Sequence, residues 1–267
     1  MSLLAGYMVP HPPIAVPEIG RGEEQKIRDT LASFDEVSSD IARFKPDTII
    51  LTSPHSILYR DYFHISPGKT AIGDFSRFGA RSVTFSVQYD DEVAQAISIE
   101  AENAGIPAGP EGERDPLLDH GTTVPMYFIN RRYTDYKLVR IGLSGLNLQT
   151  HYDLGKAIRR AIVKTGRMAV FVASGDLSHC QKEDGPYGYR KEGPVYDEKI
   201  METMGKGEFK KLVNYDEGLL DASMECGHRS FTIMGGAFDG LKFDTKQLSH
   251  EATFGVGYGF CIYHPEV

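Results

Sequence analysis

Short apolar runs and helical stripes take turns along this chain, and that alternation limits the fold more than any other property of it. The runs are Leu3 to Val9, Asp47 to Thr52, Ser82 to Val87, Lys137 to Leu143, Met168 to Ser174 and Val256 to Tyr263. Brief, continuous apolar character is expected of strands buried on both faces of a parallel sheet. Between them lie segments with three- and four-residue spacing. Ile27, Leu31, Phe34, Val37, Ile41 and Phe44 mark a helix over Glu23 to Phe44. Asp90 to Ala104, His151 to Thr165, Val195 to Met204 and Glu208 to Val213 also read as helices, and Glu217 to Gly240 as one or two more. Thr122 to Asn130 reads as a helix start despite Pro125. Such alternation predicts an α/β fold: a mainly parallel central sheet flanked by helices. No linker, low-complexity segment or solenoid-length repeat divides the chain, so residues 1–267 are expected to form a single domain. Ser56 to Arg81, with Gly68, Gly73 and Gly79, is a long excursion to which no structure is assigned.

Composition narrows the class of partner. The chain is 41% hydrophobic and 25% charged, with a formal charge of -8. That suits a packed core and argues against nucleic acid, since the cationic stretches are only pairs such as Arg131-Arg132. No stretch approaches the roughly 18 apolar residues of a membrane span. The amino terminus lacks a basic-then-apolar signal pattern, and three cysteines are too sparse for a disulfide framework. These features set the expectation of a cytoplasmic protein.

Three histidines stand just past apolar runs: His11 after Val9-Pro10, His55 after Ser53-Pro54, and His179 after Gly175-Asp176-Leu177-Ser178. α/β proteins bind ligands beyond the carboxyl ends of their strands, and imidazole is the commonest metal ligand. A single Pro-His is more often a polar loop; two of them at strand ends point to metal ligation by His11 and His55. Prolines on both sides of His11 fix the backbone that aims it. His120, in Asp119-His120-Gly121-Thr122-Thr123-Val124-Pro125, precedes an expected helix, where a capping loop is the plainer explanation. Asp176 could orient His179 or cap a turn. Two histidines and a carboxylate suit non-haem Fe(II) or, with water, catalytic zinc. Glu225, in Met224-Glu225-Cys226-Gly227-His228, is the preferred third ligand, with the thiol of Cys226 as the alternative and Glu251 a weaker choice. His64, His151, His228, His250 and His264 receive no ligand role.

Together, Val9-Pro10-His11-Pro12-Pro13, Ser53-Pro54-His55, the Asp119-to-Pro125 motif and Gly175-Asp176-Leu177-Ser178-His179 resemble the class III extradiol ring-cleaving dioxygenases of the LigB type. Gly73-Asp74-Phe75-Ser76-Arg77-Phe78-Gly79 and the stretch from Glu225 to Gly236 look like the Memo branch of that superfamily. The resemblance covers nearly the whole chain. It implies that His11 and His55 bind iron, that His179 is the general acid/base, and that His120 contacts substrate or orients a ligand. It also implies an Fe(II) enzyme, zinc being the other metal considered, that opens a small aromatic diol or aminophenol with O2 and works as a homo-oligomer, a dimer. A carboxylate from Glu225 would complete the oxygenase triad. A thiolate from Cys226, as in Memo-like relatives, implies instead a metal-binding redox protein, and zinc in the same pocket would suit a hydrolase.

Overall fold

Six strands make the central sheet of the computed structural model, which describes residues 2–266. Their order is β7 (Lys137–Gly142), β2 (Thr48–Ser53), β8 (Ala169–Ser174), β1 (Leu3–Val9), β10 (Tyr258–Pro265) and β9 (Phe243–Glu251). β2 runs parallel to β7 and β8, and β8 parallel to β1, while β10 is antiparallel to both β1 and β9. The sheet is therefore mainly parallel, with β10 reversed. Every residue of β2 and β8 is buried, which explains why these strands read as unbroken apolar runs.

Side chains alternate between two cores. Met8, Ile50, Phe171 and Ala173 face helices α3 (Asp91–Asn103), α5 (Leu148–Thr165), α6 (Glu192–Gly205), α7 (Glu217–Ser223) and α8 (His228–Ala237). Tyr7, Val9, Leu51 and Val172 face α2 (Arg28–Phe44) and α4 (His120–Asn130). A four-residue helix α1 (Pro17–Gly20) follows β1. Each fully buried large apolar side chain contributes about 1.5–3 kcal/mol, so the two layers hold the sheet from both sides. Among the described residues no helix is long and apolar enough to cross a membrane.

Several elements depart from the sequence reading. The helix expected from Glu23 begins at Arg28, because Glu23–Lys26 forms a 3-10 turn and Ile27 (φ -121°, ψ 56°) leaves helical space. Glu251, a weak ligand candidate, lies far from any ligand role: its carboxylate accepts from the Thr30 backbone N–H (2.6 Å) and hydroxyl (2.7 Å) in the first turn of α2. The excursion after His55 contains β3 (Phe63–His64), which pairs with β6 (Ala108–Gly109), and β4 (Thr70–Phe75), which forms a hairpin with β5 (Ala80–Gln88). The Ser82–Val87 run thus lies in that hairpin and not in the central sheet. Glu208 to Val213 is a 3-10 stretch, Phe209–Asn214, where an α-helix was expected. β9 was not anticipated, since its residues alternate between exposed and half-buried at the sheet edge.

Candidate metal centre

The adjacency of β2, β8 and β1 is what assembles the site. Their carboxyl ends lie side by side, so His55, the Gly175–His179 turn and His11 emerge at one place. His11 and His55 face each other with Nε2 atoms 3.0 Å apart, and Cys226 Sγ stands 3.6 Å from His11 Nε2. His11, His55 and Cys226 offer ligand atoms that all lie within 4.8 Å of one another. Metal–ligand bonds of about 2.0–2.3 Å produce donor separations of the observed kind around one ion.

Each side chain is placed by an identifiable local device. The His11 backbone N–H donates to Asp176 Oδ1 at 2.7 Å, tying the β1 loop to the β8 loop. Ser53 and Thr122 both donate to the Asp119 carboxylate, which also caps α4 through the Thr122 N–H at 3.1 Å. The end of β2 is thereby fastened to the helix that starts with His120. His120 stacks on His55 (centroids 4.0 Å, interplanar 27°) and meets His11 edge-on at 5.3 Å. Cys226 is held against the β8 loop: its N–H donates to the Asp176 carbonyl, and the Asp176 N–H reaches Sγ, both at 3.3 Å. That approach needs glycine at 175, since a Cβ there would lie 2.1 Å from Gly227 Cα.

Glu225 points elsewhere. Its Oε2 accepts from the His228 N–H at 2.6 Å, serving a donor that helix α8 leaves free at its amino terminus. Burial pushes this carboxyl up to about 7 despite that bond. The geometry therefore brings the thiol of Cys226, and not the Glu225 carboxylate, to the two histidines. Asp176 also differs from expectation. It serves the His11 backbone rather than orienting His179, and burial raises it to about 7.

His179 sits on a loop pinned from several sides. Its N–H reaches the Ser223 carbonyl (3.3 Å), while the Ser178 N–H donates to Asp197 Oδ1 (2.8 Å) and Ser178 Oγ to Ser223 (2.8 Å). Asp197, almost fully buried on α6, is bonded on its other oxygen by His250 Nε2 at 2.7 Å. Tyr187 presents its ring edge-on to His179 at 5.3 Å, and His179 Nδ1 is buried without a partner. Sequence reasoning passed over Asp197 and His250; neither lies in a recognisable motif, and only the packing of α6 and β9 brings them to this loop.

Burial sets the charge state of the cluster. It lowers His11 well below the usual imidazole range and His55 to about 4, with the neighbouring imidazoles adding to both effects. It also lowers His120 and His179. Neutral imidazole is the form that ligates a cation. The Cys226 thiol is raised by burial and by the nearby Asp176 and Glu225 carboxyls, so its thiolate calls for a positive partner. Next to the cluster is a cavity of about 510 Å³ lined by His55, His120, Arg77, Phe78, Leu117 and Leu118 among others. Arg77 and Phe78 come from the 3-10 turn Ser76–Phe78 between β4 and β5.

Comparison with known proteins matches residues 5–261 to the model of the catalytic LigB subunit of aromatic ring-opening dioxygenase. Protein CA_C1420 of Clostridium acetobutylicum is 38% identical over 266 residues, covering 97% of this chain; the match spans only 57% of that longer relative. The 2-aminophenol 1,6-dioxygenase beta subunit of a Pseudomonas species is 25% identical over 295 residues, covering 96% of this chain and 92% of that one. MEMO1 family protein PAE0818 of Pyrobaculum aerophilum is 28% identical over 155 residues, covering 55% of this chain and 52% of its own. The strand-end histidines, the thiol beside them and the extent of the match agree: the chain belongs to the LigB family, with relatives in its Memo-like branch.

Proposed function

We propose that this protein is a metal-dependent oxidoreductase whose cation is held by His11, His55 and Cys226, iron being favoured over zinc. The observation that carries the reading is the convergence of two neutral imidazole nitrogens and one thiol on a single point. A bound Fe(II) ion would supply Lewis acidity and one-electron chemistry towards O2. The protein's own groups do the rest. His11 is buried and Cys226 partly so, while His55 is exposed and leaves the centre open to solvent and substrate on that side. His120 lines the cavity beside His55 and stacks on that ligand. His179, neutral because burial disfavours its imidazolium, can accept a proton from a substrate hydroxyl and return it later.

A second reading is extradiol opening of a small catechol or aminophenol with O2. It is favoured by the cavity beside His55 and His120, whose Phe78, Leu117 and Leu118 suit one aromatic ring, and by the relative named as a 2-aminophenol dioxygenase subunit. The thiol at Cys226 weighs towards the Memo-like redox reading over ring opening, because the oxygenase triad is completed by a carboxylate. Anaerobic purification followed by metal analysis and O2 uptake tests both. Iron retained by the native chain and lost from Cys226→Ser supports the proposed centre; iron content indifferent to that substitution overturns it. O2 consumption with yellow products from a panel of catechols and aminophenols would establish the second reading.

A further inference from the structure

Pro125 is an oddity: a proline inside helix α4. Lacking an N–H, it cannot donate to the carbonyl four residues back, which is that of Gly121. That carbonyl is nevertheless satisfied, because Ser174 Oγ lies 2.5 Å from it. A carbonyl oxygen only accepts, so the single hydroxyl proton of Ser174 points at Gly121. Ser174 Oγ is also 2.9 Å from His11 Nδ1. With its proton committed, the hydroxyl can only accept there, and Nδ1 must carry the hydrogen. A neutral imidazole holds one N–H, so Nε2 is left with a bare lone pair. Nε2 is the atom that faces His55 Nε2 and Cys226 Sγ.

We propose that Ser174 is a positioning residue that selects the tautomer of His11, and that Pro125 enables it by freeing the Gly121 carbonyl. This deepens the metal-centre reading and rests on it for its purpose, although the relay itself exists whether or not a cation binds. All three members are buried, so water does not compete for these bonds: Ser174 and Pro125 are in the core and His11 is 1% exposed. Gly121 is itself confined, since a Cβ there would lie 2.4 Å from Ser53 Oγ. The carbonyl cannot easily turn away from Ser174.

The test is nitrogen NMR of the full chain labelled with ¹⁵N-histidine, recorded without metal and after zinc addition, together with a zinc titration. The native chain should carry the His11 proton on Nδ1 before metal is added. Ser174→Ala should remove that bias and weaken zinc binding about 10–100-fold, the usual effect of losing the group that orients a ligating histidine. Ser174→Thr, which keeps the hydroxyl, should restore both. Should Ser174→Ala fail to fold, Pro125→Ala is the second probe. It returns a helical N–H to Gly121, and should shift some His11 proton to Nε2 and weaken zinc binding to a smaller degree. A native His11 protonated on Nε2, or a tautomer unmoved in these variants, overturns the proposal. A native chain with the proton on Nδ1 that takes up no zinc overturns the metal reading and leaves the relay standing.

Discussion

Glu225 and Cys226 are neighbours whose side chains face different partners, and the difference can be measured. Cys226→Ser should lower iron or zinc affinity by about 100-fold or more, because a hydroxyl is a poor substitute for a thiolate ligand. Glu225→Ala should leave metal content unchanged and cost about 1 kcal/mol of stability in urea melts, the usual loss when a helix amino terminus loses its side-chain acceptor. The histidines were legible in sequence because strand-ending runs and Pro-His dipeptides mark where side chains meet. The choice between two adjacent residues was not. It depends on Met224 adopting a left-handed conformation (φ 52°) and on the Gly175–Gly227 contact, which together turn the thiol inward and the carboxylate towards α8. Neither leaves a pattern in the chain. Ser174 was equally hidden, since a serine closing an apolar strand looks like any turn residue.

Helix α5 carries two predictions. His151 is fully buried there, with Nδ1 bonded to the Asn147 carbonyl at 2.9 Å and Nε2 without a partner. Burial lowers its pKa to about 4. The unfolded value is about 6.5, so between the two the unfolded chain binds a proton that the folded chain refuses. The stability from this group is complete above about pH 6.5 and falls as pH drops towards 4, by up to ~1.4 kcal/mol per unit. In His151→Gln the acid limb of a stability–pH profile should be shallower by one proton's worth; an unchanged slope would assign the acid loss to other groups. The second prediction concerns the crossing of α5 and α8. A Cβ on Gly155 would lie 1.9 Å from the Ile233 carbonyl oxygen, and one on Gly236 would lie 1.8 Å from that of Tyr152. Gly155→Ala should therefore destabilise the protein by about 3 kcal/mol, read as a shift in urea midpoint. Strong helical stripes such as α2 and α5 were readable in sequence to within a few residues. β9 was not, because an edge strand with one exposed side carries no continuous apolar run. The β4–β5 hairpin hid in a glycine-rich excursion, where register is set by tertiary pairing and local spacing says little.

For the molecule as a whole, the alternation of strands and helices was enough to give the sheet's class, since buried parallel strands announce themselves by composition. Strand order was beyond reach: β8 lies between β1 and β2, an arrangement imposed by crossovers that no local pattern encodes. Because the candidate ligands come from the ends of β1 and β2 and from the connection between α7 and α8, a cation should bind the folded chain far better than the unfolded one. At about 100 times its dissociation constant it would add ~2.7 kcal/mol of stability. The melting temperature should then rise with added zinc in the native protein and stay fixed in Cys226→Ser.

The distance along the chain between His11 and Cys226 has a further consequence. They are 215 residues apart in sequence, yet 3.6 Å apart in space. A cation gripped by both would act as a clasp on everything between them. Pulled from its two ends, the loaded protein could release only its outer segments, chiefly β1, α8 and the β9–β10 pair, before the clasp itself took the load. In the metal-free chain the same force would pass on into the segments the clasp had shielded, β2 and β8 among them.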